Sequence, residues 1–163
     1  MSIVFLSFGS NVGDKFFYLQ KAKFEIEKFT KILATSSIYE SEPFGNFNQS
    51  KFLNCILKIE TSLKPFILLN KIKSIEKKIG RIERDKWMER EIDIDIIFYE
   101  NLVFQNELLS IPHKEMQNRS FVVYPMCEIE KKFINPVFKK NMDELSNEIK
   151  NLLDICKIKN LKL

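Results

Sequence analysis

The segment Ile92-Asp93-Ile94-Asp95-Ile96-Ile97-Phe98-Tyr99 alternates isoleucine with aspartate before it becomes wholly apolar. Side chains two apart on a β-strand point the same way, so this spacing predicts a strand in which Ile92, Ile94 and Ile96 fill one face while Asp93 and Asp95 share the other. Two adjacent carboxylates repel. They are tolerated at a solvated sheet edge, or used where a hard cation such as Mg²⁺ sits between them and bound phosphates.

The rest of the chain supplies partners for that strand. Ile3 to Phe8 reads as a buried strand ending in the turn Gly9-Ser10-Asn11. Asp14 caps a following helix on which Leu19, Ala22, Ile26 and Phe29 recur at helical spacing. Lys31 to Tyr39 and Phe52 to Ile59 read as two more strands. The loop Ser41 to Ser50 between them carries Phe44 and Phe47 among turn residues, which is unusual for a plain connector. Pro65 near a helix start, Leu68, Ile72, Ile75 and Ile79 on one face, and Gly80 just past the end define a second long helix. The order strand, helix, strand, strand, helix, strand is the split βαβ arrangement of a ferredoxin-like α+β fold, with an antiparallel sheet and helices packed mainly on one face. Val103 to Arg119 is looser and holds the turn Ile111-Pro112-His113. Asn141 and Glu144 make a capping-box pattern ahead of Leu145, Ile149 and Leu152, which predicts an additional C-terminal helix. No repeat or linker interrupts residues 1–163, so a single domain is expected.

Charge is distributed unevenly by type. Of the 26 basic residues only Arg81, Arg84, Arg90 and Arg119 are arginines, and three of these fall in the loop ahead of the aspartate strand. A chain that meets its general need for positive charge with lysine has reserved the planar, multi-donor guanidinium for one place, as phosphate oxygens require. The acids Glu83, Asp85, Glu89 and Glu91 offer each arginine a loose surface partner, but that account is weakest for all three at once. Trp87, the only tryptophan, lies in the same charged loop, where it is better placed to close over a flat ring than to fill a core. His113, the only histidine, follows a proline and precedes Arg119, which suits a phosphate donor and makes an imidazole zinc site improbable. Asn54 interrupts an apolar strand, so its amide must bond either backbone or a polar ligand edge.

Several classes fall away. Gly9 to Lys15 has the strand-loop-helix setting of a P-loop but only three residues between its glycines, followed by Asp14. A ferredoxin-like RNA-binding module lacks its Gly/aromatic strand signature here, and paired aspartates on the sheet would repel RNA. A regulatory effector-binding domain explains Asn54 and Trp87 but not the arginine-aspartate cluster. With no apolar run near the ~18 residues needed to span a bilayer, and no basic region or cleavage site in Met1 to Leu6, a cytoplasmic protein without membrane contact is expected. Cys55, Cys127 and Cys156 show no metal-ligand spacing and read as reduced packing residues. A net charge of +4 from scattered lysines does not by itself imply a nucleic-acid partner.

Taken in order, Gly9-Ser10-Asn11, Pro43-Phe44-Gly45, Phe52-Leu53-Asn54, Gly80-Arg81, Trp87 with Arg90, Asp93-Ile94-Asp95, Pro112-His113, Asn118-Arg119 and Phe121 resemble the 6-hydroxymethyl-7,8-dihydropterin pyrophosphokinases of folate biosynthesis over roughly the first 136 residues. That resemblance implies a ferredoxin-like enzyme, a monomer with ATP and the pterin as its partners. It would transfer the β,γ-pyrophosphoryl group of ATP to the pterin hydroxymethyl oxygen and release AMP. By matching position, Asp93 and Asp95 would hold two Mg²⁺ ions and, with Arg81 and Arg90, form the catalytic group. Glu76, Arg81, Arg84, Trp87, Arg90, Ser110, His113 and Arg119 would bind ATP. Ser41, Glu42, Phe44, Phe52, Asn54, Trp87, Asp93 and Phe121 would bind the pterin. The chain departs from the family pattern at Met88-Glu89, where Gly-Pro is usual, and at Glu42, Phe52, Leu108 and Lys114.

Overall fold

β1 (Ser2–Ser10) is central, and its alternating side chains feed two separate apolar clusters, Val4, Leu6 and Phe8 on one face and Ile3 and Phe5 on the other. The computed structural model describes residues 1–43, 48–85, 88–149, 155–159, 161 and 163. β4 (Phe52–Thr61) and β5 (Asp93–Tyr99) flank β1, both antiparallel to it. β2 (Lys31–Thr35) and β3 (Tyr39–Ser41) both pair with β4, and β3 also pairs with β8 (Ile155–Lys157). The sheet order is β5-β1-β4-β3-β8.

The helices lie on both faces rather than mainly on one. α1 (Lys15–Glu27) and α2 (Pro65–Ile79) cover the Val4 face with Leu19, Ala22, Ile26, Leu68 and Ile72. α3 (Ser120–Glu130) and α4 (Met142–Glu148) cover the Phe5 face with Val122, Val123, Met126, Met142 and Leu145. The reason is that Phe5, Ile56, Ile97 and Phe98 make this face apolar too, and each such side chain gains about 1.5–3 kcal/mol by burial. A register shift between Phe5 and Leu6 makes Ile97 the extra residue of a β-bulge, which lets Ile97 and Phe98 both enter the second cluster.

Local signals explain most element ends. Asp14 accepts a hydrogen bond from the Phe17 amide at 3.0 Å and caps α1. Gly80 ends α2 at φ 111°, a left-handed conformation that favours glycine. The expected strand Lys31 to Tyr39 is instead two strands. Between them the Ser36 hydroxyl accepts from the Ile56 amide at 2.9 Å and donates to the Ser37 carbonyl, an alternative to the regular ladder. α3 was not legible in sequence because Pro125 sits inside it and no side chain caps it. α4 has the expected capping box but ends at Glu148, with Ile149 extended, and Leu152 lies outside the described residues. Further on, β8 joins the sheet and Ile158, Leu161 and Leu163 pack against the first cluster. Glu128 of α3 holds this edge by accepting hydrogen bonds from Ser37, Tyr39 and Lys157. The cysteines are all free; Cys55 is buried, whereas Cys156 is exposed and so is not a packing residue.

Candidate active site

The Phe5 face of the sheet changes character along its length. Where α3 and α4 stop covering it, the same alternation that delivers Phe5 and Ile56 delivers Ser7, Gly9, Asn54, Asp93 and Asp95, which floor a cavity of about 550 Å³. Asn54 and Asp93 stand on opposite sides of Gly9 in register. A Cβ at Gly9 would lie 3.1 Å from Asn54 Oδ1 and 3.6 Å from the Phe52 ring, so glycine keeps the middle of the floor low. Gly9→Ala is expected to lower affinity for a ligand on the Asn54 side by about tenfold, while leaving the melting temperature within a few degrees, because the intruding methyl displaces a side chain and breaks no ladder bond. Calorimetric titration and a thermal melt check both halves.

The loop between α2 and β5 supplies the arginines. Arg81 Nη1 donates to Asp93 Oδ1 at 2.6 Å, and Arg90 Nη1 donates to Asp93 Oδ2 at 2.5 Å. Burial would push the Asp93 carboxyl up, but Arg90 and Arg81 outweigh it and hold it below the usual range. Asp95 shifts the opposite way, first through burial and then through the charge of Asp93. Arg119 approaches Asp95 at 3.9 Å, stacks on Phe121 at 5.8 Å, and keeps a buried Nε without a hydrogen-bond partner among the described residues. A buried guanidinium donor left open in this way suits an anionic ligand. His113 also lines the cavity. Its Nδ1 accepts from the Glu115 amide at 3.3 Å, which leaves the ring proton on Nε2, and burial pushes its pKa down.

Support comes from behind the floor. β5 is an edge strand, and its Ile94 amide is taken by buried Glu76 Oε1 at 2.7 Å. The same carboxylate receives Arg81 at 2.7 Å and Lys73 at 3.0 Å. Asn11, 2% exposed, joins two loops: its Oδ1 accepts from the Arg90 amide at 2.7 Å, and its Nδ2 donates to Gln49 and to the Ser50 carbonyl. On the far side Asn54 Nδ2 donates to Ser41 Oγ at 2.9 Å, with Phe52 alongside.

Ser41, Glu42, Phe52, Asn54, Arg81, Arg90, Asp93, Asp95, His113, Arg119 and Phe121 thus line one cavity. Three expected ligand residues do not. Glu76 lies beneath, Ser110 of β7 (Ser110–Ile111), the partner of β6 (Phe104–Gln105), donates to the Pro112 carbonyl, and Arg84 is held by Glu91 through contacts of 2.6 and 2.9 Å. Phe44 and Trp87 lie outside the described residues. Ser7, Gln49, Lys73 and Glu115 also line the cavity and were not singled out from sequence, since a strand serine or one lysine of many carries no local signal.

The Arg84 pairing also makes a pH prediction. The guanidinium holds the Glu91 carboxyl down at about 2 against an ordinary 4.5, so its contribution to stability is complete above about pH 4.5 and disappears as pH falls towards 2. Glu91→Gln is expected to melt lower than wild type at pH 7, with the gap closing over that acid window, as followed by circular dichroism.

With this geometry in place, comparison with known proteins is decisive. Residues 5–131 match the family model described as 7,8-dihydro-6-hydroxymethylpterin-pyrophosphokinase. The chain belongs to this family. The 2-amino-4-hydroxy-6-hydroxymethyldihydropteridine pyrophosphokinase of Aquifex aeolicus is 47% identical over 148 residues, covering 91% of this chain and 92% of the relative. The folic acid synthesis protein FOL1 of Dictyostelium discoideum is 41% identical over 150 residues, 92% of this chain but 23% of that longer protein. A Plasmodium falciparum HPPK-DHPS structure with pteroate superposes with a TM-score of 0.78 at 16% identity, over 96% of this chain and 48% of the other. The chain thus spans nearly the whole of the Aquifex relative, about a quarter of the Dictyostelium protein and about half of the Plasmodium chain.

Proposed function

We propose that this cavity is where the chain, as a member of its family, transfers pyrophosphate from ATP to 6-hydroxymethyl-7,8-dihydropterin in folate synthesis, with AMP as the other product. One observation carries the assignment of the site: paired aspartates on one strand face, with arginines above them and an asparagine-phenylalanine pocket about 10 Å away across two strand spacings. Arg81, Arg90, Arg119 and His113 bind the triphosphate. Asn54, braced by Ser41, presents its amide to the polar edge of the pterin, and Phe52 and Phe121 pack on its ring. Glu42, paired with Lys51 at 2.7 Å, closes the rim on that side. Trp87 and Phe44, which lie outside the described residues, complete the proposed ligand set. Glu76 acts one step removed, by holding Arg81.

The donor set fits Mg²⁺. Asp93 and Asp95 offer hard oxygens, and among the described residues no group of three or more histidine, cysteine, aspartate or glutamate side chains is able to hold a metal alone, so phosphate oxygens complete the coordination. Two bound ions supply charge neutralisation and lower the pKa of the attacking hydroxyl. The protein's own share is positioning and electrostatics, with both substrates fixed over a rigid sheet and no covalent intermediate.

The fold reads as ferredoxin-like when β2 and β3 are taken as two halves of one strand beside β4, which supports the order expected from sequence. One domain over 1–163 acting as a monomer belongs to the same proposal, and the one sheet that runs from β1 to β8 supports the single domain. Free thiols at Cys55, Cys127 and Cys156 support a cytoplasmic setting, and no helix among the described residues is long and apolar enough to cross a membrane. The deciding experiment incubates the purified protein with ATP, Mg²⁺ and the pterin and separates the nucleotides. Pterin-dependent AMP is expected; ADP would assign an ordinary kinase instead.

A further inference from the structure

Both carboxylate oxygens of Asp93 are already engaged by guanidinium groups, Oδ1 by Arg81 and Oδ2 by Arg90. Arg81 is itself anchored to buried Glu76, so it is held in that position from behind. A bare divalent cation approaching Asp93 meets two guanidinium charges that already occupy both oxygens, and it brings nothing to receive a displaced guanidinium. A cation carried by a polyphosphate does, because its phosphate oxygens accept the same fork. Among the described residues no group of three or more metal-ligating side chains gathers around a cation position, which points the same way, since Asp93 and Asp95 need oxygens from elsewhere.

We propose that Arg81 and Arg90 occupy Asp93 as cationic stand-ins, so that this site refuses free divalent cations and accepts metal only together with a polyphosphate that takes over the arginines. The inference rests on the metal role proposed above for the two aspartates. Asp95 is the entry point: its nearest guanidinium, on Arg119, is 3.9 Å away and its carboxyl lacks the double clamp of its neighbour.

Mn²⁺ binding followed by electron paramagnetic resonance tests this without turnover. Wild-type protein is expected to bind Mn²⁺ with a non-hydrolysable ATP analogue and at least about tenfold more weakly without it. Arg90→Ala leaves Arg81 on Asp93, so the partly buried carboxylate keeps a partner. It is expected to tighten Mn²⁺ binding without nucleotide by about tenfold, whereas Lys114→Ala, which removes an equal charge from the cavity lining without unclamping Asp93 or Asp95, changes it by no more than about threefold. Equal gains in the two variants would make the effect one of net charge and overturn the proposal, as would wild-type protein binding Mn²⁺ equally well alone and with the analogue. If Mn²⁺ binds in neither condition, the assignment of Asp93 and Asp95 as metal ligands is what fails.

Discussion

Asp95→Asn is expected to lower pyrophosphoryl transfer by roughly a thousandfold or more, equivalent to about 4 kcal/mol of barrier, while pterin binding stays within about threefold of wild type. The substitution removes the charge that a metal would use and leaves the Asn54 side of the floor untouched. It is also expected to hold or raise the melting temperature. Asp95 is half-buried beside Asp93, and both desolvation and that neighbouring charge push its carboxyl up, so a neutral isostere relieves repulsion. Single-turnover assays, pterin titration and a thermal melt distinguish the outcomes. Wild-type turnover would remove Asp95 from the metal site, and a collapse in stability would make it a structural residue.

Glu76→Ala is the largest expected effect on folding. The carboxylate satisfies the Ile94 amide, Arg81 and Lys73 at once from a buried position, although burial pushes its own pKa up. Its removal leaves a buried amide without an acceptor and strips Arg81 of one of its two carboxylates, at about 2–4 kcal/mol, or on the order of 5–15 °C in melting temperature. Transfer is expected to fall as well, because Arg81 loses its rear anchor. Glu76→Gln keeps an acceptor for Ile94 and is expected to recover most of the stability but little of the activity. If both variants melt together, the charge and not the hydrogen bond holds β5.

What was readable in the sequence was what is decided locally. The alternation in β5, the Asp14 cap, the Gly80 stop and the Asn141–Glu144 box each act within a few residues, and the structure has all four. α3 was hidden because its stability comes from packing on Phe5 and Phe98 and not from helix propensity, which Pro125 opposes. The apolar character of the second sheet face was also hidden, because a bulge at Ile97 shifts the alternation on which face assignments depend. Among the site residues, arginines and aspartates stood out as scarce types in a tight cluster. Lys73 did not, because it reaches the cavity from α2 around the sheet edge, a path set by tertiary packing alone. Asn11 was noticed as part of a turn, but its hydrogen bonds to Arg90 and to the 49–50 segment depend on three loops meeting.

The closure of β5 has a consequence for how the molecule behaves in company. An outer strand normally offers a row of free amides and carbonyls on which another chain can build, and it invites accretion of copies. Here Glu76 takes the Ile94 amide and the His113 amide donates to the Ile97 carbonyl at 3.0 Å, so the residues that support the cavity also blunt that template. Loosening them would expose a growth edge as well as disturb the cavity, which ties the chain's resistance to edge-on association to the upkeep of its candidate site.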